Sequence, residues 1–147
     1  YQNEITVRSR LRRGRVVKWL IDTNVISETA TPHPNPRVLR WFGEQPTQDI
    51  ATSIVTVAEL QHGVLLTQDR TRHRQLARWI DQNVFALFMD RILTIDTDIL
   101  VQWLDLQRLL KARDQTRSLA DLLLAATAHI HDLILEPATH VTSPTRA

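Results

Sequence analysis

Three acidic side chains sit where solvated charges are unexpected. Asp22 ends the apolar run from Val16 to Ile21, Glu59 begins the apolar stretch after Thr56, and Asp121 opens Asp-Leu-Leu-Leu-Ala-Ala-Thr-Ala. Carboxylates brought together repel one another and are costly to bury, and a hard divalent cation that takes oxygen ligands, magnesium or manganese, resolves the conflict. The chemistry open to such a trio is that of a bound metal ion. Each residue also has a purely structural explanation. Asp22 can cap a helix starting near Val25, Glu59 can complete a capping box with Thr56, and Asp121 can be a first-turn acid favoured by the helix dipole.

Only folding can join positions so far apart, so the elements around them decide the matter. Val16 to Ile21 reads as a buried strand closing on the polar turn Asp22-Thr23-Asn24. A short helix is expected from Val25, a loop over the three prolines between Thr31 and Pro36, and a second helix from Arg37 to Phe42. Ile50 to Val55 is β-prone and leads into a helix with Thr56 as its cap and Glu59 at its third position. From Arg70 to Phe88 the spacing of Leu76, Trp79, Ile80, Val84, Leu87 and Phe88 predicts one helix, with Arg70, Arg72, Arg74 and Arg78 facing outward. Ile92 to Ile95 predicts a strand, and Asp96 caps a helix that runs to about Arg113. After a loop from Asp114 to Arg117, Ser118 or Leu119 opens a very apolar helix through Ile130, and Leu133 to Leu135 forms a last strand before Pro137. Strands alternating with helices imply an α/β fold, a three-layer sandwich around a central, mostly parallel sheet. Such sheets place ligands at the carboxyl ends of their strands, where all three carboxylates fall.

A chain of 147 residues matches one domain. Arg8, Arg10, Arg12, Arg13, Arg15 and Lys18 oppose only Glu4 in the first 18 residues, so the net charge of +2 describes a basic tail on a mildly acidic body. The tail lacks amphipathic period and begins at Tyr1, and residues 1–17 read as a flexible basic extension rather than a nucleic-acid footprint. With no cysteine, disulfides, zinc–thiolate sites and thiol nucleophiles are excluded. No apolar run approaches the ~20 residues of a membrane span, and Lys18 interrupts the one stretch that could imitate a secretory signal. A cytoplasmic protein without membrane contact is the expectation. The six histidines are scattered or, at His129 and His131, badly spaced for joint ligation on a helix, and three glycines leave no phosphate-binding loop. A phospho-accepting receiver domain also gathers carboxylates at strand ends, but it needs a late lysine in its sheet, and the only lysines are Lys18 and Lys111. Trp19, Trp41, Trp79 and Trp103 fall on apolar stripes and read as core rather than as base-stacking platforms.

Ile21-Asp22-Thr23-Asn24-Val25-Ile26-Ser27-Glu28, Thr52-Ser53-Ile54-Val55-Thr56-Val57-Ala58-Glu59-Leu60 and Asp121-Leu122-Leu123-Leu124-Ala125-Ala126-Thr127-Ala128 together resemble the three acidic motifs of PIN-domain nucleases, most closely the VapC or FitB toxin type. Arg91-Ile92-Leu93-Thr94-Ile95-Asp96 is similar to that family's central strand, so the resemblance runs from about Trp19 to Thr139 within a domain of residues 18–147. It implies a metal-dependent endoribonuclease, the toxin of a toxin–antitoxin pair, with Asp22, Glu59 and Asp121 holding Mg2+ or Mn2+ and Thr23, Asn24 and Thr139 in support. It further implies an RNA substrate, a cognate antitoxin that blocks the site, and a homodimer or a toxin–antitoxin hetero-oligomer. One departure stands out. Where family members usually carry a fourth acidic residue or an Asn after a Thr-Arg or Thr-His pair, Thr139-His140 is followed here by Val141. That departure makes a catalytically impaired, antitoxin-binding protein the alternative expectation.

Overall fold

The computed structural model describes residues 17–136 and the backbone of Val7–Arg8. Thr139, Val141 and most of the basic N-terminal segment lie outside the described residues. Five strands form one sheet: β1 (Val7–Arg8), β2 (Trp19–Ile21), β3 (Ile50–Ser53), β4 (Ile92–Leu93) and β5 (Ile134–Glu136), in the spatial order β1-β4-β3-β2-β5. Every ladder is parallel, with Leu20 opposite both Ala51 and Leu135, and Ser53 opposite Leu93. β1 falls inside the segment read as an extension and pairs with the edge of β4.

Parallel strands must be joined by crossovers, and helices supply them: α1 (Thr23–Glu28), α2 (Pro36–Glu44), α3 (Ile54–Leu66), α4 (Arg70–Trp79), α5 (Ala86–Phe88), α6 (Thr97–Ala112) and α7 (Leu119–His131). The two-residue period of a strand divides the core in two. Ile21, Ile50 and Ile92 point to one face and pack with Val25, Val38, Val57, Leu60, Val84 and Phe88. Their neighbours Leu20, Ala51 and Leu93 point to the other face and pack with Leu124, Ala128 and Leu133. Helices α1 to α5 thus cover one side of the sheet, and α7, with α6 against it, covers the other. This is the three-layer α/β sandwich expected from the sequence. Trp19 and Trp41 meet edge to face at 5.3 Å on the first side, with the geometry aromatic pairs prefer.

Several boundaries differ from the pattern reading. The β-prone run ends as strand at Ser53, not Val55, and Ser53 rather than Thr56 caps α3, accepting from the Val55 amide at 3.1 Å. Thr56 is a fully buried residue inside the helix, and Glu59 lies in its second turn. The long helix expected from Arg70 is continuous in path but widens into a π-helix over Ile80–Phe85 between α4 and α5. Arg72 does not face outward with the other arginines. It sits half-buried on the same side of α4 as Leu76 and Trp79. Asp96 and Ser118 cap α6 and α7 as the sequence suggests, accepting from Ile99 and Asp121 amides at 3.0 Å each.

The Ser53 cap joins strand to helix at a fully buried position. A Ser53→Ala chain is expected to lose about 1 kcal/mol of stability, the usual worth of a serine N-cap, read as a lower urea midpoint at unchanged slope.

Candidate carboxylate site

Asp22 follows the last residue of β2 and occupies the N-cap position of α1, with extended backbone (φ −73°, ψ 155°). Its amide donates to the Glu136 carbonyl at 3.5 Å, which ties it to the end of β5. Its carboxylate completes no capping hydrogen bond of good geometry to the first turn of α1. Burial is the largest influence on this carboxyl and raises its pKa above the ordinary 3.8; repulsion from Glu59 and from Asp121 raises it further. The Thr23 and Asn24 amides lean towards it and pull the other way. Asp22 is therefore within electrostatic reach of both other carboxylates.

Glu59 projects from α3 into solvent, and the Thr23 hydroxyl donates a short hydrogen bond to its Oε2. That contact locks the start of α1 to the second turn of α3. Asp121 is exposed in the first turn of α7, its amide held by Ser118 Oγ at 3.0 Å. The fold thus gathers Asp22, Thr23, Glu59 and Asp121 at one end of the sheet. Asn24 is next to them and exposed, its carbonyl accepting from Ser27 Oγ at 3.3 Å. Among the described residues, no group of three or more His, Asp or Glu side chains is already arranged to hold a metal ion. The donor set nevertheless fits a hard cation. All three groups are carboxylates, the inner one is half-buried and repelled by the other two, and the outer two are exposed.

Two residues near this centre carried no functional weight in the sequence. Glu136 ends β5 opposite Ile21 and is 7% exposed, and its signal was the one that marks Asp22, an acid closing an apolar strand. Arg72 lines a cleft that also contains Thr23 and Glu59.

The raised pKa has a direct consequence for stability. A carboxyl whose folded-state pKa lies above its unfolded value favours the fold most fully below the unfolded value, near 3.8, and loses that contribution as pH rises through the folded value. Without divalent metal, Asp22→Asn is expected to melt above the native chain at pH 7, with the advantage vanishing as the pH falls below about 3.8. Thermal unfolding in EDTA across that range measures it. A native chain that is the more stable of the two at neutral pH would contradict the charge strain at Asp22.

An α/β sandwich with carboxylates at the carboxyl ends of parallel strands defines a class of α/β proteins with an acidic site. The comparisons narrow the class. The PIN domain family matches residues 19–135, and the chain belongs to it. Toxin FitB of Neisseria gonorrhoeae is 36% identical over 114 residues, covering 78% of this chain and 82% of that protein. The VapC ribonuclease Y4jK of Sinorhizobium fredii is 32% identical over 128 residues, covering 87% and 90%. Among solved structures, the crystal structure of FitAcB from Neisseria gonorrhoeae superimposes with a TM-score of 0.76 at 35% identity, covering 80% of this chain and 84% of that one.

Proposed function

We propose that this chain is a metal-dependent endoribonuclease, the toxin of a toxin–antitoxin pair, with Asp22, Glu59 and Asp121 as its metal-holding residues. The observation that carries the reading is the gathering of three carboxylates at the strand ends, where Asp22 is half-buried and repelled by the other two, inside a PIN domain whose relatives are named as a toxin and as a ribonuclease. Uncompensated, that repulsion only destabilises the fold; a divalent cation converts it into affinity. A Mg2+ or Mn2+ ion bound there supplies a lowered pKa for an attacking water and stabilisation of charge on the phosphate. The chain's own part is positioning. Thr23 fixes the rotamer of Glu59, the end of β5 holds the Asp22 backbone, and Ser118 sets the first turn of α7 beneath Asp121. Thr139 is retained as a supporting candidate from the sequence.

A cognate antitoxin is the proposed protein partner, in keeping with relatives seen as FitAB and VapBC assemblies. Leu100, Val101 and Leu104 on α6, with Leu65 and Leu66 at the end of α3, are exposed apolar side chains that such a partner or a second copy would cover. No helix among the described residues is long and apolar enough to cross a membrane.

A second reading, an impaired PIN-like protein that keeps antitoxin binding, rests on Val141, which follows Thr139-His140 where family members usually carry a fourth acidic residue or an Asn. Cleavage of structured and unstructured RNA by the purified chain, with Mg2+ or Mn2+ against EDTA, separates the two. Metal-dependent cutting supports the nuclease. A folded chain that binds metal and cuts nothing supports the impaired protein.

A further inference from the structure

Of the three carboxylates only Glu59 lines a cleft of about 310 Å³, and the rest of that cleft is left without a role. Thr23 and Glu59 stand at one end of this cleft, Leu60, Leu76 and Trp79 form apolar walls, and Arg72 contributes a guanidinium. The spacing of Arg72, Leu76 and Trp79 places all three on one face of α4. Arg72 is held by a single long bond, Nη2 donating to the Ala30 carbonyl at 3.4 Å, and it forms no ion pair among the described residues. Most of its five donors are therefore unused. A half-buried cation that lines the same cleft as Glu59 without pairing to it is suited to an anion that a ligand brings in.

On the opposite side of α4, Arg70, Arg74 and Arg78 recur every four residues, also without ion pairs among the described residues. The helix thus carries a basic ridge on one face and, on the other, one inward guanidinium beside an apolar wall. A phosphate needs the cation, and a nucleobase needs the wall.

We propose that this cleft is the binding subsite for the nucleotide adjacent to the scissile phosphate of a single-stranded RNA, with Arg72 holding that nucleotide's phosphate and the wall of Leu60, Leu76 and Trp79, the last half-buried rather than wholly in the core as the sequence suggested, receiving its base. The proposal rests on the nuclease reading for the position of the scissile bond and adds the subsite that sets substrate register. Single-stranded RNA fits better than a duplex, because only an unpaired base can be turned into a cleft of this size. The cleft also offers a way to be blocked without harming the fold. Gly63, one turn after Glu59 on α3, lines it, and a Cβ built there meets no heavy atom within 4 Å. A larger side chain would fill the cleft and improve helix propensity at once.

The test uses a short mixed-sequence single-stranded RNA as probe, its binding followed by fluorescence anisotropy in EDTA and its cleavage in Mn2+. Arg72→Ala is expected to weaken binding about tenfold and to raise KM far more than it lowers kcat, with Arg72→Lys restoring part of the loss. Gly63→Leu is expected to weaken binding by at least as much, with a melting temperature equal to or above that of the native chain. Arg108→Ala, on the exposed face of α6, should change nothing. If the native chain cuts RNA and both cleft variants bind and cut as it does, the subsite is overturned and the nuclease reading stands. If the variants keep RNA binding and lose only co-purification with an antitoxin, the cleft belongs to a protein and the proposal fails. Arg72-dependent binding with no cutting upholds the cleft and removes the nuclease reading. A native chain that neither binds nor cuts RNA removes both.

Discussion

Replacing Asp22 with alanine is expected to lower metal-dependent RNA cleavage by about a thousandfold while leaving a folded chain. Asp22 is in electrostatic contact with both of the other carboxylates, and it is fixed from two sides, by the end of β5 and by the first turn of α1. Its loss removes the inner of the three carboxylates proposed to hold metal, and the two that remain are exposed and mounted on separate helices. A thousandfold loss corresponds to roughly 4 kcal/mol of transition-state stabilisation, within what metal-ion catalysis supplies. The fold should survive, because the substitution also removes the raised, repelled carboxyl. Asp22→Asn keeps the shape and removes only the charge, so it should lose nearly as much activity and should no longer gain thermal stability from added Mn2+. Single-turnover cleavage with saturating enzyme measures the first effect and melting with and without Mn2+ the second. Cleavage by Asp22→Ala within tenfold of the native rate would take Asp22 out of the site.

The reasons Asp22 was visible in the sequence and parts of its surroundings were not are physical. A buried parallel strand must be apolar on both faces, so Trp19-Leu20-Ile21 announces itself, and the first acid after it marks the carboxyl edge. The same logic located Asp121, because Ser118 three residues earlier is a cap whatever the tertiary context. The junction before Glu59 was harder to read. Ile50 to Val55 is β-prone almost throughout, and Ser53 and Thr56 compete as local start signals, while Ile54 and Val55 pack against the two layers on either side of the junction. The two-faced nature of α4 was hidden for a related reason. Four arginines in nine residues look like one solvated face, yet Arg72 lies half a helical turn away from the stripe of Arg70, Arg74 and Arg78. The π-helical stretch from Ile80 left no trace in the apolar spacing at all.

The largest effect on stability is expected from Phe88→Ala, at about 3–5 kcal/mol. Phe88 is wholly buried, ends the short helix α5, and packs with Ile50, Ile92 and Val84 on the face that α1 to α5 cover. Its carbonyl also accepts from the Arg91 amide, so the ring anchors the turn that delivers the chain into β4. That turn is reinforced by a buried guanidinium: Arg91 donates to the Ile50 carbonyl at 2.9 Å, to the Leu87 carbonyl, and to Asp90 at 3.2 Å. The hydrogen bonds set the direction of the turn, but each contributes only about 1 kcal/mol net, or somewhat more where the guanidinium is the donor, and the ring outweighs any one of them. Removing it leaves a void beneath β3 and β4 that cannot close without disturbing their ladder. A domain of this size holds roughly 5–15 kcal/mol in all, so Phe88→Ala should be marginally folded at 25 °C, and Phe88→Leu, which keeps most of the volume, should lose markedly less. Urea unfolding of the two variants against the native chain tests the order. An alanine variant within 1 kcal/mol of the native chain would mean that the core on this face yields far more readily than its packing indicates. In that case the geometry of the carboxylate end could not depend on it.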